Sequence, residues 1–340
     1  MQQTILEVED LSRSFRSGRD PLRRLADWLS GIEPPVVRAV EDVTLSVSPG
    51  ETLGIVGESG CGKSTLARMM AGILPISSGR MRFRGEPYES LLSRKREALK
   101  IQMVFQDPLS SLNPRLKVRD IIGEAAVVHG IVPRSKIRDY VADLLARVGL
   151  PPEAAGRYPH QFSGGQRQRV GIARALAVKP EMLICDEAVA ALDVSVQAQV
   201  INLLMEIKRD SGLTMVFISH DLGVVRHLCD RVAVMYLGRV VELARTEDLF
   251  AAPTHPYTRM LLEGMPRISL KRREFLPIQG EIPSPLAPPS GCHFHPRCSI
   301  ATQECRQVRP ELREMRPGHV HRCLNAVASQ PASPDVFDYI

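Results

Sequence analysis

Residues 51–74 read ETLGIVGESGCGKSTLARMMAGIL: an apolar run of strand length, a glycine-rich loop, then a helix-forming stretch. No other feature narrows the fold of this chain as far. Gly57, Gly60 and Gly62 let the loop curl until its backbone N–H groups point inward at phosphate oxygens, with Glu58, Ser59, Cys61 and Thr65 completing the cradle. The helix that follows adds its positive end, equivalent to about half a unit charge. Lys63 is spaced to reach the β- and γ-phosphates, and the Ser64 hydroxyl to ligate Mg²⁺. The stretch predicts a nucleoside-triphosphate site on an α/β fold.

Acids suited to that site lie at EMLICDE, residues 181–187. An apolar strand ending in Asp186 puts a carboxylate at the sheet edge, where it can hold Mg²⁺ through water. Glu187, one residue on, points elsewhere and can act as general base toward an attacking water. A second glycine pair raises a question. FSGGQRQR, residues 162–169, opens a strongly helical run and forms another anion-ready helix start, yet one nucleotide needs one cradle.

The remaining pattern is that of an α/β domain. TILEVED, ETLGIV, RMRFRG, IQMVFQ, EMLICDE, LTMVFISH and RVAVMYLGRVVEL read as strands alternating with helical stretches. Between QDP and FSGGQ the strands stop. Ile137, Val141, Leu144, Leu145 and Val148 there form one helical stripe, in a helical subdomain placed at about 112–165. The ATPase domain is set at 1–262, with an insertion at 16–37 whose Leu22, Leu25, Trp28 and Leu29 share a helical face flanked by arginines. That face fits either a surface helix packed on its own domain or one that touches a membrane or partner. Residues 263–328 form a proline-rich, irregular C-terminal extension, and 329–340 a disordered tail.

Composition excludes several classes. No apolar run approaches the about 18 residues of a membrane span, and the N-terminus carries no export signal, which predicts a cytoplasmic protein. The net charge of +6 is partly local, in arginines at 13–24 and in Lys271-Arg272-Arg273, without the aromatic interleaving that stacks bases, so no nucleic-acid partner is expected. Cys292, Cys298, Cys305 and Cys323 cluster near the C-terminus, which in a reducing compartment points to metal before disulfide.

GESGCGKST, FQDP, FSGGQRQR, LICDE, ALD and ISHD stand in the order found in the nucleotide-binding subunits of ABC transporters, and the chain resembles that family over residues 4 to about 325. The resemblance implies an ABC-type α/β nucleotide-binding domain with a β-subdomain and a helical subdomain. It also answers the question of the second glycine pair. In this family two cassettes dock head to tail, so Ser163, Gly164, Gly165 and Gln166 would bind the partner's ATP. By the same resemblance Phe15 stacks on adenine and Gln106 contacts Mg²⁺ and senses the membrane subunit. Asp193 links the two sites, and His220 contacts the γ-phosphate. Ala188-Val189-Ala190 departs from the family, which has Pro-Thr-Ser or Pro-Val-Ser there, and removes a proline and a hydroxyl near the dimer seam.

HPYTRMLLEGMPR, GEIPSPLAPPSGCHFHPRC and QVRPEL resemble the C-terminal region of the oligopeptide/dipeptide importer ATPases, and NPR after the glutamine loop resembles their F-type subunit. That implies a D-type ATPase partner, two permease subunits, an extracytoplasmic binding protein and a place on the cytoplasmic face of the inner membrane. Nickel and glutathione permeases of the same group are the alternative cargoes. A non-transport ABC ATPase is the other class, but those carry two cassettes or a long coiled-coil insertion. The four clustered cysteines lack close Cys-x₂₋₄-Cys pairs, and the family associates them with a [4Fe–4S] cluster, zinc being the alternative.

Overall fold

The structure, a computed structural model, describes residues 4–16, 36–94, 96–265 and 280–326. Most of the insertion expected at 16–37, the 271–273 basic cluster and the tail at 329–340 lie outside the described residues. Twelve strands are described: β1 (Leu6–Arg16), β2 (Val36–Val47), β3 (Thr52–Val56), β4 (Ser78–Phe83), β5 (Glu86–Pro87), β6 (Ile101–Val104), β7 (Met182–Asp186), β8 (Thr214–Ile218), β9 (Arg231–Tyr236), β10 (Arg239–Arg245), β11 (Arg313–Arg316) and β12 (His319–His321).

They form two sheets. A four-stranded antiparallel sheet has the order β2-β1-β4-β5, and an eight-stranded sheet the order β11-β12-β10-β9-β3-β8-β7-β6. From β9 to β6 the strands of the large sheet run parallel. Its central strands β3, β7 and β8 are buried at every position, which explains their unbroken apolar sequences: both faces are covered. β2 alternates buried with more exposed positions along its second half, the pattern of a strand with one face on the core.

RVAVMYLGRVVEL, expected as one strand, folds back on itself. Leu237 (φ 41°) and Gly238 (φ 81°) form a two-residue turn with both φ positive, the hairpin geometry whose twist matches the flanking strands. The helical stripe reads as expected. Val141, Leu144, Leu145 and Val148 are almost fully buried, with Ile137 packed against them. The helices that matter below are α1 (Lys63–Met70), α2 (Val118–Val128), α3 (Ile137–Arg147), α4 (Gly164–Leu176) and α5 (Val194–Ser211). Among the described residues no helix is long and apolar enough to cross a membrane.

The C-terminal extension, expected to be irregular, contributes two strands. β12 pairs with β10 through Glu242–His321 and Leu243–Val320, and β11 pairs with β12, so the extension continues the main sheet. Polar groups weld the seam. Arg309 donates to Glu41 at 3.0 Å, and Arg322 donates to the carbonyl of Asp42 at 2.7 Å. Deeper in, Glu242 is fully buried. Its carboxylate accepts from the N–H and hydroxyl of Thr254, from the N–H of His255 and pairs with His319 Nε2 at 2.8 Å. Burial pushes the Glu242 carboxyl upward, but the hydrogen bonds from His319, Thr254 and His255 outweigh it and hold it below the ordinary carboxylate range. A carboxyl depressed on folding stabilises the fold above its unfolded value and loses that contribution as pH falls through the folded value. Glu242→Gln is therefore expected to cost about 1–3 kcal/mol near neutrality and to flatten the acid limb of stability below about pH 4.5. Denaturant midpoints measured across pH check this; an unchanged acid limb would contradict it.

Candidate nucleotide site

The carboxyl ends of β3, β6, β7 and β8 lie side by side, the edge at which parallel α/β sheets bind ligands. Each strand delivers one expected residue or loop there. β3 feeds the 57–62 loop and α1, β6 leads to Gln106, β7 ends in Asp186 and leads to Glu187, and β8 leads to His220.

The loop is tightly tied. Gly62 caps α1 at φ 107°, where a Cβ would meet the Ala39 carbonyl oxygen at 2.1 Å, so only glycine closes this turn. Lys63 is 4% exposed, and its ammonium donates to the carbonyls of Gly57 at 2.8 Å and Glu58 at 3.0 Å, which holds the loop in its curl. The Cys61 carbonyl accepts from the Gly238 N–H at 2.8 Å, so the β9–β10 turn braces the loop from outside. Cys61 is buried, and burial pushes its thiol up, so it packs as a small neutral side chain.

Ser64 Oγ donates to Asp186 Oδ1 at 2.8 Å, which places the two proposed Mg²⁺-side oxygens against each other. Burial raises the Asp186 carboxyl above its ordinary range, helped by the neighbouring Glu187 and opposed by the Ser64 hydrogen bond, Arg68 and Lys63. Glu187 has φ 48°, a left-handed backbone that non-glycine residues rarely hold. The turn is fixed on both sides: the Glu187 N–H donates to the Ile218 carbonyl, and the Ala190 N–H donates to the Glu187 carbonyl. Ala188 and Val189 are buried, so the departure from Pro-Thr-Ser leaves the turn packed rather than loose. Gln106 Nε2 donates to Glu187 Oε2 at 2.9 Å, and His220 Nδ1 lies 3.8 Å from Glu187 Oε1. Gln106, Glu187 and His220 thus meet at one point.

A pocket brings most of these parts together, lined among others by Ser59, Gly60, Lys63, Ser64, Gln106 and Glu187; Asp186 and His220 are not in its lining. Phe15 is not in its lining, but its β-sheet partner Val37 is. The Arg13 guanidinium lies 4.8 Å from the Phe15 ring. The pocket also takes Ala39, Gly238 and Pro285, which sequence spacing had not singled out.

Ser163, Gly164, Gly165 and Gln166 do not line that pocket. They start α4, where Ser163 Oγ accepts from the Gln166 N–H and Gln166 Oε1 accepts from the Ser163 N–H, a reciprocal cap. Gly165 is packed so tightly on α5 that a Cβ would stand 2.2 Å from Val196 Cγ1. Asp193 stands at the start of α5 and, like Val194, is exposed.

The expected four-cysteine metal group is not formed as such. Among the described residues, no group of three or more His, Cys, Asp or Glu side chains is placed to hold a metal ion. Burial pushes the Cys292 and Cys298 thiols up, and that of Cys323 to about 11. Nevertheless Cys292, Cys298, Cys305 and Cys323 all line a single pocket, walled by Phe294, Ile300 and Leu324.

The phosphate loop, the acid pair and the displaced second glycine motif together define an ATPase of the ABC transporter class. The ABC transporter family model matches residues 40–190, and the model of the oligopeptide/dipeptide transporter C-terminal region matches residues 241–305. The probable peptide ABC transporter ATP-binding protein y4tS of Sinorhizobium fredii is 49% identical over 326 residues, covering 95% of this chain and 90% of the relative. The oligopeptide transport ATP-binding protein AppF of Bacillus subtilis is 49% identical over 331 residues, covering 95% and 97%. Among solved structures, cbiO1 from Clostridium perfringens, part of an ABC transporter complex, superposes with a TM-score of 0.60 at 30% identity, covering 73% of this chain and 91% of that one. The cassette MJ0796, solved as a dimer bound to ADP and Pi, superposes with a TM-score of 0.61 at 25% identity, covering 71% and 98%. The chain belongs to the family of peptide ABC transporter ATP-binding proteins.

Proposed function

We propose that this chain hydrolyses ATP to energise a membrane importer of peptides, as one of two cassettes on the cytoplasmic face of the inner membrane. The observation that carries the reading is the separation of the two glycine motifs. The phosphate loop lines the pocket with Gln106 and Glu187, whereas Ser163, Gly164 and Gly165 stand at a helix start outside it. A cradle outside its own chain's pocket suits a neighbour's nucleotide.

In this reading Phe15 stacks on the base, and the loop N–H groups and Lys63 hold the phosphates. Ser64, Gln106 and Asp186 would hold Mg²⁺, which neutralises charge on the β- and γ-phosphates; their oxygens suit a hard cation. Glu187 accepts the proton of the water that attacks the γ-phosphorus, the bond to the β-phosphate oxygen breaks, and ADP and phosphate leave. His220 and Gln106 orient that water and the γ-phosphate. ATP buried between two cassettes binds the closed pair better than the open one, so it drives closure and its cleavage releases it. Asp193 couples the two seams. A D-type ATPase, two permease subunits and an extracytoplasmic binding protein complete the assembly. The peptide cargo follows the relatives' names, with nickel and glutathione as alternatives. Co-purification with two permeases and an ATPase rate stimulated by peptide-loaded binding protein test the reading; co-purification with nucleic acid or ribosomes instead would overturn it.

Cys292, Cys298, Cys305 and Cys323 are proposed as ligands of a [4Fe–4S] cluster, which would cross-link the extension. Besides sharing a pocket with the other three, Cys305 Sγ lies 3.4 Å from Asn325 Nδ2, which donates to it. Protein purified without oxygen is expected to contain about four iron and four sulfide per chain. Stoichiometric zinc without iron would replace the cluster.

A further inference from the structure

The phosphate loop is gripped from a distant part of the chain. Arg297, in the short turn between Cys292 and Cys298, reaches back to Glu58, the second residue of the glycine loop. Nη1 donates to Glu58 Oε2 at 2.7 Å and Nη2 to Oε1 at 2.9 Å, a bidentate fork across 239 positions of sequence. The arginine side chain is only 2% exposed and that of Glu58 15% exposed, so neither charge is shared freely with water. Hydrogen bonding to Glu58 raises the Arg297 guanidinium above its ordinary value, against the opposing effect of burial.

The surroundings hold this arginine in place. Its guanidinium lies 5.8 Å from the Tyr236 ring, and Tyr236 packs against Tyr257 and Phe294 with centroids 4.7 and 5.3 Å away. Tyr257 closes the loop from the same side, because its hydroxyl accepts the Glu58 N–H at 2.9 Å. Glu58 is therefore held by side chain and by backbone, while its carbonyl holds Lys63. Pro285, of the same extension, lines the nucleotide pocket.

We propose that Arg297 is a positioning residue for nucleotide binding: it anchors the phosphate loop through Glu58 and cancels a carboxylate that would otherwise repel the triphosphate. The proposal rests on residues 57–65 being the ATP cradle. Two physical consequences follow from the pairing. The loop reaches its phosphate-binding shape before ligand arrives, so less ordering is left to binding. A bare carboxylate beside an anion cradle in a partly buried site would also oppose phosphate, where screening is weak. The C-terminal extension thereby sets nucleotide affinity without touching the reacting atoms.

The test is MgATP affinity of the full-length chain by titration calorimetry, with thermal melting in parallel. Arg297→Gln is expected to raise Kd about tenfold, a change of about 1.4 kcal/mol. Arg297→Lys, which keeps the charge but not the fork, should fall between. Glu58→Gln combined with Arg297→Gln should recover the part of the loss due to an unpaired carboxylate, while the part due to the lost anchor remains. A wild-type Kd in folded Arg297→Gln and Arg297→Lys overturns the proposal. So does a loss of which the second substitution recovers nothing, because that is the mark of a general folding role. Failure of the unsubstituted chain to bind MgATP at all would instead strike the nucleotide reading itself.

Discussion

A chain carrying Glu187→Gln is expected to bind MgATP with near-unchanged affinity, to lose about 10²–10⁴-fold in turnover and to accumulate as a closed pair. In the proposed role the carboxylate serves as the base, and its surroundings suit that role. Its backbone is held at φ 48° by hydrogen bonds on both flanks, and its side chain is fixed by Gln106 at 2.9 Å. Such a conformation persists only where the surroundings over-determine it, and it clusters where chemistry needs a group aimed. The amide keeps the shape and removes the base, so ATP stays whole between the cassettes and closure is not released. Phosphate release, read together with light scattering, separates the two effects. Unimpaired turnover would take Glu187 out of the role of base.

Lys63→Ala should fail one step earlier. The ammonium now rests on the Gly57 and Glu58 carbonyls, and it is the buried cation aimed along the loop. Hydrogen bonds to charged groups contribute about 1.5–3 kcal/mol, so Kd for MgATP is expected to weaken by up to about 100-fold, with the loop losing its internal tie as well. Binding to α1 and the loop N–H groups alone cannot replace it. Calorimetric Kd values equal to those of the unsubstituted chain would contradict the assignment. The pair of variants is diagnostic together, since one binds normally without turnover and the other loses affinity first.

Much of this site was legible because its parts are local. A strand, a curled loop and a helix within 24 residues carry their own geometry, and Asp186-Glu187 and His220 follow apolar strands whose ends the parallel sheet brings together. The stripe from Ile137 to Val148 was legible for the same reason, a helical period read within one segment. Long-range pairings were not. The strand at Val36–Val47 carries visible alternation, yet the neighbouring insertion masked it. The turn at Leu237-Gly238 hid inside an apolar run, because leucine rarely takes positive φ. The short strands at 313–321 have too little sequence to announce themselves and exist because β10 offers an edge. Nothing in the spacing of residues ties Arg297 to Glu58, and proximity came only from folding. The four cysteines were legible as a group and share one pocket, but spacing could not place their sulfurs.

The central claim is that each catalytic centre is shared between two cassettes, so a single cassette lacks the second cradle. ATP turnover per chain, measured against chain concentration with the association state followed by light scattering, tests it most directly. The account predicts a specific rate near zero where only monomers are present, rising as cassettes pair with each other or with an added companion. A full specific rate in a solution of monomers would contradict it.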